Sequence, residues 1–444
     1  MDDKATGAVT LKRLRTRRGL SLNDLARALS ETARELAHPH LPSTASVQRS
    51  VARWESNRPT MPDERYQLLL GLVYARTPAG QTALGAGSDF AEYLDALGLL
   101  GEGERRIAEL RSAVVRRVTD AGGGMLAFLA PGTQAALVHA LADPTHVDER
   151  VTAGLGAAVS DVDQQVGSVP FVRLQLLLSP ALEACRQLLA GPVPVPLVPE
   201  LRAVAVSAAT LAARLTFETR DDTAARALYA DATRWAAALA DPWRQAGVHM
   251  SHALVTLYSQ DGLDGARRLV DEAVRTARSG ASVRVRARAH ALQAEIAARE
   301  GLERQAQTAL GLAAYDTEAH HKGDPSPSSF SLGHLRGFEG VCELYVGDPQ
   351  SAHDRFARSA AALSAPREQV QRAIVRTDQA LARIKLGEPR AAADLLHECV
   401  GAAASTGGRV PAIRLRRARR ELRPWRREEW AVDLDDHLMD VLGS

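Results

Sequence analysis

From about residue 200 onward the chain repeats itself, and this repeat constrains the fold more than any other feature. Turn-forming positions fall near Arg220, Gly262, Gly301, Gly347 and Gly387, at spacings of 42, 39, 46 and 40 residues. Four or five residues beyond each stands a small residue: Ala225, Ala266, Ala306, Ala352 and Ala392. Four further on comes a larger one: Tyr229, Val270, Leu310, Phe356 and Leu396. Three more bring a small one again: Ala232, Ala273, Ala313, Ser359 and Cys399. The pattern predicts helical hairpins. Small residues let the second helix approach the first, and the large residue fills the gap to the next hairpin. Aromatic residues make up only 4% of the chain, so alanine and leucine carry most of the apolar content, which favours closely packed helices over a β-sandwich.

The spacing of Gly301, Ala306 and Ala313 resembles the second helix of tetratricopeptide repeats, with longer loops than that family uses. The resemblance implies an α-solenoid over 199–444 with a concave groove for a peptide, small-molecule or protein effector. His249, His252, Arg284, Arg288, Arg336 and Arg376 fall in first helices and are the groove candidates. The arginine-rich run from Arg409 to Arg427 and the amphipathic stretch through Trp430, Leu434, Leu438 and Leu442 are expected to form a solvated cap.

The other end of the chain has a different character. Residues 1–80 hold 13 basic and 8 acidic side chains, a balance of +5, whereas the remainder has a balance of −3. Val9, Leu11 and Leu14 recur at helical spacing among Lys12, Arg13, Arg15, Arg17 and Arg18, predicting a short helix with a basic face closed by Gly19. Ser21 is an N-cap for a second helix carrying Leu22, Leu25, Ala26 and Leu29, expected to continue through Leu36. Ser43, Thr44 and Ser46 offer caps for a third helix through Val47, Val51 and Trp54, and Asp63 caps a fourth with Tyr66, Leu69, Leu70 and Val73. The third helix carries Gln48, Arg49, Ser50 and Arg53 away from its apolar positions. Gln and Arg can each make two hydrogen bonds to a purine edge in the major groove, and Ser adds a short contact.

The segments Leu14-Arg-Thr-Arg-Arg-Gly-Leu-Ser21 and Val51-Ala-Arg-Trp-Glu55 resemble the Xre/phage-repressor family of helix-turn-helix proteins. That resemblance implies a DNA-binding domain over 1–78. It places Gln48, Arg49, Ser50 and Arg53 on the base-reading face, and Ser21, Asn23 and Arg58 at phosphates. Two departures stand out. Leu22 occupies the position of a phosphate-contacting Gln, and an insertion between Ser30 and Ser46, with His38-Pro39-His40, replaces the tight turn.

Residues 79–100 are expected to be a connector, punctuated by Thr77-Pro78, Gly80, Gly85 and Gly87, and 101–198 a helical region leading into the repeats. Gly122 to Gly124 lack the Lys and closing Gly of a phosphate loop. Cys185, Cys342 and Cys399 are too few and too scattered for a disulfide framework or a zinc knuckle, and no catalytic motif or metal-ligand cluster is evident. No signal peptide and no membrane span is read. The expectation is therefore a cytoplasmic, homodimeric transcriptional regulator without cofactor or enzymatic activity. It would bind double-stranded DNA through its head and an effector through its repeats. The alternative is a repeat-based interaction scaffold with a DNA-localising head.

Overall fold

The computed structural model describes residues 3–36, 41–78, 83–84, 87–119, 126, 128–259, 262–319, 322–327, 330–365 and 368–442. The His38-Pro39-His40 loop and the Gly122–Gly124 turn lie outside them. Among the described residues there is no named strand, and twenty-one α-helices make up most of the structure. It divides into two compact units, Met1–Ala158 with Gln175–Pro194, and Val159–Leu174 with Val195–Ser444.

The first unit begins with α1 (Asp3–Arg17), α2 (Leu22–Glu35), α3 (Thr44–Trp54), α4 (Glu64–Tyr74), α5 (Asp89–Leu100) and α6 (Glu104–Thr119). Local chemistry sets their ends. Ser21 and Asp24 form a reciprocal capping box at the start of α2, and Asp63 accepts from the Tyr66 N–H at the start of α4. Leu11, Leu14, Leu25, Leu29, Val47, Val51, Trp54 and Leu69 share one buried core. That core also contains Phe90, Tyr93, Leu94 and Leu97 of α5 and Val114 of α6, with the Tyr93 hydroxyl donating to the Gln67 carbonyl at 2.8 Å. The expected boundary at residue 78 is thus displaced. Gly80 and Gly85 lie outside the described residues, and α5 shares the core of α1–α4. The unit goes on through α7 (Pro131–Ala142).

Two further helices, α8 (Glu149–Gln164) and α9 (Phe171–Ala190), precede α10 (Val198–Glu218), where the repeats begin. Helices α11 (Asp222–Ala237), α12 (Trp243–Thr256), α13 (Gly262–Ser279), α14 (Val283–Arg299), α15 (Glu303–Glu318), α16 (Leu332–Val346), α17 (Pro349–Ala362), α18 (Gln369–Lys385) and α19 (Pro389–Thr406) follow. They pack as five consecutive hairpins, α10–α11 through α18–α19. Then come α20 (Arg409–Glu421) and α21 (Glu429–Leu442). α10 is long and apolar enough, by length and composition, to cross a membrane. Its Leu201, Ala205, Ala208, Leu211 and Leu215 are nevertheless buried within the repeat unit, where it pairs with α11.

The sequence pattern maps onto this packing closely. The first small residue of every repeat is buried, as is the last, and so are Tyr229, Val270, Phe356 and Leu396. Only Leu310 is partly exposed. Full burial of a side chain of this size is worth about 1.5–3 kcal/mol, so the pattern records the main stabilising contacts of each hairpin. Three of the five turns obey one rule. Arg220, Gly301 and Gly387 have φ of 71°, 77° and 77°, and the following N–H of Asp221, Leu302 and Glu388 reaches back to Thr216, Ala297 and Arg383 carbonyls. This left-handed residue followed by a long return bond ends a helix cleanly. Gly347 departs from it with φ −126°, and there the Glu343 side chain accepts the Asp348 N–H at 3.0 Å.

Candidate nucleic-acid interface and repeat surface

In α3 the two faces expected from the sequence separate. Val47, Val51 and Trp54 are 0%, 1% and 5% exposed, and the Trp54 ring lies 5.0 Å from that of Tyr66 on α4. Arg49 and Arg53 are exposed, with Gln48 and Ser50 half-buried beside them. Arg53 donates to the Ser50 hydroxyl at 3.0 Å, which in turn donates to the Ser46 carbonyl. The exposed face therefore reads Ala45, Arg49, Ala52 and Arg53, two guanidiniums with two methyl-sized neighbours. Among the described residues up to the end of α5, Lys12, Arg34, Arg49, Arg53, Arg58 and Arg76 are exposed without an ion-pair partner.

The basic residues of α1 behave differently, and here the expected basic face is corrected. Arg15 is buried in a two-pronged pair with Glu55, Nε to Oε1 at 2.8 Å and Nη2 to Oε2 at 2.6 Å, and also donates to the Leu20 carbonyl at 2.7 Å. The Glu55 hydrogen bond holds its guanidinium charged against the cost of burial. Arg13 and Arg17 pair with Glu92, and Arg17 and Arg18 pair with Asp89, both acids lying on α5. Arg18 also donates to the Val73, Tyr74 and Arg76 carbonyls at the end of α4. Four of the five basic residues in this stretch thus hold the head together. Glu55, the last residue of the Arg-Trp-Glu motif, is the anchor that fixes the end of α3 to α1.

At the start of α2, Ser21 and Asn23 are exposed as a phosphate contact requires. The Ser21 hydroxyl oxygen accepts the Asp24 N–H, and both the side chain and the backbone of Ser21 hydrogen-bond the Asp24 carboxyl. Hydrogen bonds from Ser21, the largest cause, and from Arg27 pull the Asp24 carboxyl down to about 2. The positive end of α2 therefore carries its own anion.

The six groove candidates stand on α12, α14, α16 and α18, each in its own local surroundings. His249 is buried on α12, its pKa lowered by desolvation and by Arg275. His252 stacks on the Tyr229 ring at 4.4 Å, while the Tyr229 hydroxyl shares a hydrogen bond with Ser251. The Arg284 backbone N–H caps onto Asp324 at 3.0 Å. Arg288 is held below its ordinary pKa by burial and by Arg214, with Asp163 opposing. Arg376 pairs with Glu398 on α19, and Arg336 is half-buried on α16.

One convergence was not visible in the pattern. Arg299 of α14 pairs with Glu295 at 2.7 Å and donates to the Tyr345 hydroxyl of α16 at 2.6 Å. Arg417 of α20 donates to the same hydroxyl at 2.5 Å. Arg414 pairs with Asp378 of α18 and lies 5.4 Å from the Tyr258 ring centre. Successive first helices are thus tied together by half-buried guanidiniums and phenols. Burial opposes the charge on Arg299 and Arg414, and the facing Glu295 and Asp378 carboxylates outweigh it.

The expected solvated cap is also corrected. α20 buries Pro411, Ala412, Leu415 and Ala418, and its start meets α10. The Glu218 carboxylate accepts the Val410 N–H at 3.0 Å, Arg409 pairs with Asp222, and the Arg409 guanidinium lies 4.3 Å above the Phe217 ring. The two ends of the array, 187–192 residues apart in sequence, are joined by this seam. The three cysteines are free and buried, their thiols pushed up to about 12, 12 and 11 by desolvation. Among the described residues no group of three or more His, Cys, Asp or Glu is placed to hold a metal ion.

No protein-family model matches this chain, and no curated protein matches it.

Proposed function

We propose that the chain is a sequence-specific DNA-binding transcriptional regulator of the Xre/phage-repressor type. In this reading α2 and α3 form the helix-turn-helix and the tetratricopeptide-like repeat body serves dimerisation and effector binding in the cytoplasm. The observation that carries it is the partition of α3. Its apolar residues are locked into the head, while Arg49 and Arg53 stand exposed without acidic partners and Gln48 and Ser50 flank them. These are side chains that discriminate base edges, and each good two-pronged contact is worth about 1–3 kcal/mol of discrimination. Ser21, Asn23 and Arg58 would position the head on phosphates.

A second reading, an interaction scaffold, draws support from the neutralisation of α1, which leaves fewer free cations for DNA than the sequence promised. Selection of bound fragments from genomic DNA at near-physiological salt separates the two. The expected result is one enriched motif for the parent protein and its loss in the Arg49→Ala/Arg53→Ala variant. No enrichment, or enrichment that survives both substitutions, would rule out α3 as the reading helix.

A further inference from the structure

The last hairpin of the repeat array borders an open surface depression of about 540 Å³. Its walls come from three places. The turn before α19 and the first turns of α19 supply Glu388, Arg390 and Asp394, the single 3-10 turn ahead of α21 supplies Trp425, and Glu428 and Trp430 flank the start of α21. Both indoles are partly buried and rest on the core of the last repeats. They are two of only five tryptophans in the chain.

The charges around these indoles are unequal. Three carboxylates, Glu388, Asp394 and Glu428, face one guanidinium, Arg390. Glu388 is engaged by Arg383 across the turn. Asp394 and Glu428 are exposed, and among the described residues neither has an ion-pair partner. An aromatic wall alone would accept any apolar group. An aromatic wall rimmed by uncompensated carboxylates selects a positive one, because ring quadrupoles and carboxylates attract the same charge. An anion would meet the two unpaired carboxylates Asp394 and Glu428 on its way to the indoles.

We propose that this depression is a binding site for a small organic cation, an alkylammonium or guanidinium group, held against Trp425 and Trp430 and neutralised by Asp394 and Glu428. The site belongs to the repeat body, and its test contains no DNA, so its success or failure is separate from that of the proposed DNA reading.

The experiment is calorimetric titration of the full-length protein with choline, with methylguanidinium, and with 3,3-dimethylbutan-1-ol, the neutral isostere of choline. Binding of either cation, with the alcohol at least tenfold weaker, is expected. The choline and methylguanidinium arms then tell which cation the site prefers. Asp394→Asn, an exposed change that leaves the core intact, is expected to weaken cation binding several-fold and to leave binding of the alcohol unchanged. Trp425→Leu is expected to weaken it about tenfold. Absence of cation binding at millimolar concentration, equal binding of the alcohol, or indifference to Asp394→Asn would each overturn the proposal.

Discussion

The seam between α10 and α20 is the most informative place to perturb the repeat array. An array of hairpins is held by nearest-neighbour contacts, so its ends ordinarily fray first. Here the end is fastened back by Glu218, Asp222 and Phe217 on one side and Arg409 and Val410 on the other. Replacing Glu218 by Ala removes the acceptor from a first-turn N–H of α20, whose N-cap Gly408 provides no side chain. An orphaned buried donor costs about 1–3 kcal/mol. Glu218→Gln is a sharper probe. Burial raises the Glu218 pKa, ahead of the opposing hydrogen bond from Val410 and the field of Arg214. A carboxyl whose folded pKa is raised contributes stability below its unfolded pKa and loses it as pH rises through the folded value. The charged form is therefore less favoured in the folded chain than in the unfolded one. Gln keeps the accepting carbonyl and removes the buried charge, so it should be neutral or stabilising where Ala destabilises. Hydrogen exchange read by mass spectrometry checks this. Glu218→Ala should accelerate exchange in α20, α21 and the end of α10 while leaving α14 and α15 unchanged. Equal behaviour of Ala and Gln, or acceleration spread evenly over all hairpins, would refute the idea of a local latch.

Arg220 occupies a left-handed turn position, φ 71°, that Gly fills at two equivalent hairpin turns, so Arg220→Gly should stabilise the array by about 1 kcal/mol, read as a rise in midpoint in urea unfolding. His249, His290, His353 and His397 all have pKa values lowered first by desolvation. Each protonates more readily unfolded than folded, so stability should fall as pH drops through about 6.5, and thermal melts at pH 7.5 and 5.5 should show the lower midpoint in acid.

Much of the repeat unit was legible because its information is local and periodic. Turn position, small residue and large residue recur within each hairpin, and Ala225, Tyr229 and Ala232 follow the same rule as Ala392, Leu396 and Cys399. The first four helices of the head were legible for the same reason, through caps at Ser21 and Asp63 and apolar spacing in α2 and α3. What stayed hidden is pairing over distance. Nothing in the text near Arg299 or Arg417 announces that both meet Tyr345, 46 and 72 residues away. Nor does the arginine-rich sequence of α20 distinguish side chains that face water from Arg409 and Arg414, which do not. The misplaced boundary at 78 has a similar origin. Glycines mark a bend in the backbone, and whether a bend separates two cores or lies within one depends on where Phe90 and Tyr93 come to rest.

That boundary also decides the electrostatic argument. Counted over 1–80 the head carries +5, but its core continues through α5, and over 1–100 it holds 13 basic against 11 acidic residues, a balance of +2. Two of the three acids added, Asp89 and Glu92, are the ones that bind Arg13, Arg17 and Arg18. The arginines of α1 therefore cannot double as a phosphate-binding stripe without giving up the contacts that join α1 to α5. The free cations that remain are few: Lys12 on α1, Arg34 on α2, Arg49 and Arg53 on α3, Arg58 just beyond it and Arg76 after α4. Non-specific affinity for DNA scales with the number of phosphates neutralised, whereas discrimination depends on base-edge contacts. A head built this way has little charge with which to hold arbitrary duplex, and two of its free guanidiniums, Arg49 and Arg53, stand beside Gln48 and Ser50. If it binds DNA, selectivity should dominate over bulk affinity, and the weight of the proposed function falls on one exposed face of one eleven-residue helix.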